Sequence, residues 1–177
     1  MSRKIAVLAV QGAFAEHERM LEGLGCECVE LRQAADLERD FDGLVLPGGE
    51  STTQGKLLDE LGMLEGLRDR IAGGLPTLAT CAGLILLARR LDAHDDRGTA
   101  YGRQLGSFRT TATVEGVGEV PATFIRAPYV THAEKDVEVL AQVDGRIVAV
   151  RQGRQLGLAF HPELDPDTRL HELFLSL

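Results

Sequence analysis

Four short apolar runs, each followed by a stretch with helical periodicity, fill the first half of the chain. They are "KIAVLAV" (residues 4–10), "CECVEL" (26–31), "FDGLVLPGG" (41–49) and "LPTLAT" (75–80). The first and last are nearly continuous in apolar character, as expected of strands covered on both faces. Between them, "AFAEHERMLEGLG" carries Phe14, Met20, Leu21 and Leu24 at roughly helical spacing and stops at Gly25. "AADLER" reads as a helical turn, and "TTQGKLLDELGMLEGLRDRIAGG" as two helices broken near Gly62. "AGLILLARRL" is the helix after the fourth strand. Strand and helix alternating through short links predict a mainly parallel sheet with helices on both faces.

After residue 100 the pattern changes to short β runs divided by turn signals: "GRQLGSFRTTATV", "VPATFIRAPYV" and "VEVLAQVDGRIVAVRQGRQLGLAF". Asp144-Gly145 predicts a hairpin. These runs are expected to extend the same sheet with antiparallel strands. "DPDTRLHELFLSL" closes the chain as a helix, with Asp165 or Asp167 as its cap. Residues 1–177 then form one α/β domain.

Composition narrows the function classes. The net charge is −8, with Lys and Arg scattered, which argues against a nucleic-acid backbone as main partner. Aromatic residues are 5% and Trp is absent, so a base-stacking platform is not expected either. No apolar run approaches the roughly 20 residues of a membrane span, and a cytoplasmic setting is expected. Three cysteines, Cys26, Cys28 and the distant Cys81, make neither a disulfide framework nor a zinc site. Cys26 and Cys28 are expected to be structural, at an edge of the second strand.

Sites in open α/β sheets form at the carboxyl ends of strands. Three segments fall there: "LPGGEST" (46–52), "TCAG" (80–83) and "FHPEL" (160–164). Cys81 sits on a strand-to-helix turn among small residues, which exposes a nucleophile and lets backbone N–H groups approach a substrate. The helix N-terminus behind it favours a thiolate. An inert buried thiol is the alternative. His161 supplies a base, and Glu163, two residues on in extended backbone, can hold its imidazole. The alternative is a surface histidine beside a capping glutamate. Gly48 and Gly49 allow N–H groups to turn toward an oxyanion. Otherwise they form an ordinary turn with Ser51 or Thr52 capping the next helix. A phosphate loop is disfavoured, because its Lys-Ser/Thr ending is missing.

Taken together, "AVLAVQGAFAEH", "LVLPGGESTT", "TCAGLILLA", "YGRQLGSF", "FIRAP" and "FHPEL" resemble the glutaminase subunits of pyridoxal 5′-phosphate synthase, within the triad (class I) glutamine amidotransferases. The blocks run in that family's order over nearly the whole chain, and "QGAFAEH" distinguishes this subfamily. The resemblance implies a flavodoxin-like amidotransferase fold and hydrolysis of L-glutamine to L-glutamate and ammonia. By it, Cys81 attacks the amide, His161 relays protons and Glu163 orients His161. The backbone of Gly48, Gly49 and Ala82 forms the oxyanion hole. Gly49, Glu50, Ser51, Ile125 and Arg126 contact glutamine, and Arg126 suits its α-carboxylate. Gln11 and Gly12 couple the site to a partner.

The implied partner is a synthase subunit, in a large complex, that receives the ammonia to make pyridoxal 5′-phosphate. That compound is then a pathway product, and no cofactor or metal is implied for this chain. His17 is expected on the helix surface, and His94, His132 and His171 have no context for a role. Two positions depart from the family: Ala79 stands where it has Gly, and Gly98-Thr99 where it has Arg-Asn, leaving Arg97 as a substitute glutamine contact. The rival readings are another amidotransferase or cysteine hydrolase on this fold, and a non-catalytic regulatory subunit.

Overall fold

The computed structural model describes residues 2–91, 100–101 and 106–177, with backbone only at 100–101. Arg97, His94 and Gly98-Thr99 lie outside the described residues. The elements in chain order are β1 (Lys4–Leu8), α1 (Phe14–Gly23), β2 (Glu27–Leu31), β3 (Gly43–Leu46), α2 (Ser51–Glu60), α3 (Leu64–Ala72), β4 (Thr77–Thr80) and α4 (Ala82–Leu86). A π-helical stretch, Leu87–Leu91, continues α4. Then come β5 (Ala100–Tyr101), β6 (Phe108–Val114), β7 (Gly118–Phe124), β8 (Val130–His132), β9 (Glu138–Val143), β10 (Arg146–Gln152), β11 (Gln155–Leu158) and α5 (Arg169–Leu175).

The central sheet runs β2-β1-β3-β4-β11-β10-β8-β5, with β9 also paired to β10. From β2 to β11 every pairing is parallel. From β11 outward the pairings are antiparallel. The expected α/β sheet with an antiparallel extension is therefore present, and β3, β4 and β11 are neighbours at its centre.

Strand periodicity splits the core in two. Ile5, Val7, Val45, Leu78, Leu156 and Leu158 belong to one cluster, which Leu21 of α1 and Leu170 and Phe174 of α5 complete. Ala6, Leu8, Leu44, Leu46 and Ala79 belong to the other, closed by Leu58 of α2, Met63, Leu67 and Ile71 about α3, and Leu86 and Leu87. Successive residues of each strand thus serve opposite layers, as a two-residue period requires.

Two expectations are corrected. The strands β6 and β7 do not extend the main sheet but pair only with each other. Ala112, Val114, Val120, Ala122 and Phe124 of this hairpin join the α1/α5-side cluster. A lone hairpin has one apolar face to bury, and it buries that face by lying on the sheet rather than at its edge. The cap of α5 is Thr168, not an aspartate. Asp167 instead accepts from the Arg169 amide at 3.0 Å, and Asp165 from the Thr123 hydroxyl at 2.9 Å.

Gly83, in the first turn of α4, sets how closely that helix approaches β3. A Cβ there would lie 2.0 Å from the Leu46 carbonyl oxygen. The obstacle is strand backbone, which cannot swing aside. Gly83→Ala should therefore lower stability by at least about 2 kcal/mol, within the range for overpacked cores. Urea denaturation of the variant beside the parent checks this.

Candidate active site

The tips of β3, β4 and β11 converge. Cys81 follows the last residue of β4 with φ 50° and ψ −109°, a conformation costly for a side-chain-bearing residue. Its amide donates to the Leu158 carbonyl at 2.8 Å, and its carbonyl accepts from the Leu84 amide at 3.1 Å. The turn is thus fixed to β11 on one side and to α4 on the other. Ala79, the departure in the strand, is fully buried and lies opposite Gly157 of β11.

His161 reaches toward Cys81 from beyond β11, and the two side chains interact. Its backbone amide donates to Thr123 of β7 at 2.9 Å, so the hairpin anchors it. On the ring's far side, Nδ1 lies 2.6 Å from Glu163 Oε1. The backbone between them is not extended as expected: Pro162–Leu164 form a 3₁₀ turn, which brings the carboxylate back under the ring. Gly48 closes the group, since a Cβ there would stand 2.4 Å from His161 Cε1 and 3.4 Å from Cys81 Cβ.

The electrostatics follow from burial and pairing. Burial is the largest influence on His161 and opposes its charge. The hydrogen bonds and charges of Cys81 and Glu163 outweigh it and lift the imidazole to about 10. Burial likewise pushes Glu163 upward, but His17 and the bonded, charged His161 more than offset it and hold the carboxyl below its ordinary range.

His17 corrects an expectation: it is buried, not on the surface. Its Nε2 lies 3.1 Å from Thr80 Oγ1 and 3.4 Å from Glu163 Oε2, and its Nδ1 lies 3.0 Å from Nε2 of His171, which is buried as well. Phe14, His17 and Leu21 are three and seven residues apart, so helical spacing alone puts His17 on the inward face. Burial is the main cause that lowers His17, and it pushes His171 down to about 3.

The other expected site residues divide by location. The amide of Glu50 donates to Gln11 Oε1 at 2.9 Å, and Gln54 Nε2 donates to the carbonyls of Gln11 and Pro47. Gly48 accepts from the Ala13 amide at 3.0 Å, at a contact so close that a Cβ on Gly12 would lie 1.9 Å from the same oxygen. Gln11 and Gly12 therefore grip the Gly48-Gly49 loop. Glu50, not Ser51 or Thr52, caps α2, accepting from the Thr53 amide at 2.8 Å. Ile125 borders the thiol, its carbonyl 3.9 Å from Cys81 Sγ, and is 45% exposed. Arg126 beside it has φ 44°. Arg97 lies outside the described residues. Cys28 is in β2, at the sheet edge as expected, and burial pushes its thiol up to about 12.

Residues 7–177 match the model of the SNO glutamine amidotransferase family. The pyridoxal 5′-phosphate synthase subunit PdxT of Desulfitobacterium hafniense is 57% identical, covering 98% of this chain and 92% of that one. PdxT of Methanocorpusculum labreanum is 54% identical, covering 98% and 97%. A crystal structure of a glutamine amidotransferase superposes with a TM-score of 0.87 at 41% identity, covering 97% of both chains.

Protonation should leave a signature on stability. His17 and His171 are depressed in the fold, so the stability tied to their neutral forms is present above about pH 6.5 and drains as pH falls, most steeply while the unfolded chain alone binds protons. His161 has the opposite sign: its contribution is full below about pH 6.5 and is lost as pH rises through about 10. Denaturant midpoints measured across pH 4.5–10.5 should fall at both ends, the acid fall shallower in His171→Phe and the alkaline fall shallower in His161→Gln.

Proposed function

The chain belongs to the SNO glutamine amidotransferase family, and from that premise we propose that it is a glutaminase with a Cys81-His161-Glu163 triad, delivering ammonia to a synthase subunit that makes pyridoxal 5′-phosphate. The observation that carries the chemistry is the run of side chains from Cys81 through His161 to Glu163 at the tips of adjacent strands. The synthase partner rests on the names of the relatives. The net charge of −8 fits a small-molecule substrate better than a nucleic acid, and the setting proposed is the cytoplasm.

In this reading the Cys81 thiolate attacks the side-chain amide carbon of glutamine. The carbonyl oxygen becomes an oxyanion, held by backbone N–H groups of the Gly48-Gly49 loop and Ala82. The His161 imidazolium gives its proton to the amide nitrogen, the C–N bond breaks and ammonia leaves. His161, now neutral, takes a proton from water, whose oxygen attacks the thioester and releases glutamate. Glu163 keeps His161 in one tautomer, with Nδ1–H toward Oε1 and Nε2 toward sulfur. Gly49, Glu50 and Ser51 meet the substrate through the loop, with Ile125 and Arg126 opposite. The left-handed φ of Arg126 stores about 1–3 kcal/mol of strain, which argues for a functional demand on its direction. Its guanidinium suits the α-carboxylate. Gln11 and Gly12, gripping the loop, are the proposed route by which a docked partner reaches the oxyanion peptide.

The test is ammonia release from glutamine, with and without the synthase subunit. Cys81→Ala should lower turnover by about 10⁴-fold or more, His161→Asn nearly as much, and Glu163→Gln by less. The parent chain alone should be slower than the complex. Parental turnover in a folded Cys81→Ala chain would end the triad reading, and equal rates with and without the partner would end the coupling.

A further inference from the structure

Two imidazoles behind Glu163 take no part in the steps above. We propose that His17, its tautomer set by His171, is a positioning residue for the glutaminase reaction: it holds the second carboxylate oxygen of Glu163 and thereby fixes the ring of His161. This rests on the triad reading. Glu163 Oε1 faces His161 at 2.6 Å and Oε2 faces His17 at 3.4 Å. Both Glu163 oxygens and the His17 side chain are fully buried, and Oε2, which accepts no hydrogen bond, has the His17 N–H edge as its charge partner.

The proton positions follow from which atoms have partners. Each neutral ring carries one N–H. With the His17 proton on Nδ1, Nε2 would accept from the Thr80 hydroxyl and would turn a lone pair, not an N–H, toward the Glu163 carboxylate. His171 Nε2 would then have to accept, and its proton would sit on Nδ1, a buried atom with no partner. With both protons on Nε2, His171 donates to His17 Nδ1, and the His17 N–H bonds Thr80 Oγ1 at 3.1 Å with the charge of Glu163 Oε2 beside it at 3.4 Å. His171 Nδ1 then strands a lone pair, a less costly group to strand than an N–H. The second arrangement satisfies every N–H.

A neutral donor suits this place. Held by Oε1 alone, the carboxylate can swing about its stem and carry the His161 ring with it. A lysine or arginine behind it would hold it too, but would compete with the imidazolium for its charge. His17 restrains the second oxygen and leaves the negative charge to His161. Thr80, the residue before Cys81, shares the same N–H, so the strand bearing the thiol and the turn bearing the base are tied to one ring.

Two polar replacements separate positioning from packing. In His17→Gln the side-chain amide nitrogen reaches about where Nε2 lies, toward Glu163; in His17→Asn it reaches about where Nδ1 lies, toward His171. With the full chain and its synthase partner, His17→Asn should lower kcat roughly ten- to a hundredfold with KM for glutamine little changed, the scale of a misplaced catalytic group. His17→Gln should recover most of that loss. Alkylation of Cys81 by iodoacetamide, followed by peptide mass mapping, should slow and recover in parallel, with Cys26 and Cys28 as internal references. His171→Phe should show a smaller kcat loss than His17→Asn. Equal kcat in His17→Gln and His17→Asn, or a loss confined to KM, would overturn the inference. Cys81→Ala in the same assay keeps the two readings apart: an inactive Cys81→Ala beside a fully active His17→Asn sinks this inference alone, whereas an active Cys81→Ala sinks the triad beneath it.

Discussion

A carboxylate with no access to water must be held by its surroundings, or it takes up a proton. Glu163 is such a group, and much of the surrounding structure is arranged to hold it. His161 meets one oxygen and His17 the other. These two rings are fixed by independent parts of the fold: His161 through the backbone bond of its amide to the hairpin, His17 through α1 and the contact with His171 on α5. The 3₁₀ turn at Pro162–Leu164 is what bends Glu163 in between them. Removing any of these supports exposes a buried charge, not merely a weakened contact. The hairpin that holds His161 lies on the α1/α5 face of the sheet, over the same core cluster.

The thiol side obeys a different constraint, which is space. Cys81 is held in a strained turn, and the strain is sustained because both of its backbone hydrogen bonds go to rigid elements. Close approach then demands small residues on every side. Gly83 admits the Leu46 carbonyl, Gly48 admits the His161 ring, and Gly12 admits the Gly48 carbonyl. Each of these contacts fails with a single added carbon. A central position for β3, β4 and β11 brings the three tips within reach of one another, and the glycines set the final distances.

Much of this was legible in the sequence. The parallel half reads directly from period-two apolar runs alternating with helices, and the three strand-tip segments mark the site. What escaped did so for identifiable reasons. Hydrocarbon residues alone leave His17 off the apolar stripe of α1, although Phe14 and Leu21 share its face. Alternation along β6 and β7 reports amphipathic strands and says nothing of which sheet they join. Ser51 and Thr52 have the better capping propensity, yet Glu50 caps α2, because Gln11 fixes the Glu50 amide and so directs the loop into the helix. Residue type makes Asp165 a cap candidate, while Thr123, 42 residues away, claims its carboxylate.

The segment "QGAFAEH" joins the two constraints. Its first residues, Gln11 and Gly12, hold the loop that faces Cys81; its last, His17, holds the carboxylate behind His161. Between them Ala13 donates to Gly48, and α1 begins. One short piece of chain therefore touches the proposed oxyanion side and the proposed base side, while contributing no atom to the triad. A shift of α1 carries His17 with it, and through the cap residue Ala13, bonded to the Gly48 carbonyl, it bears on the loop as well. Coupling through this segment, as proposed above, would act on the geometry of both halves together, on the loop facing Cys81 and on the carboxylate behind His161, while the thiol itself stays fixed by β11 and α4.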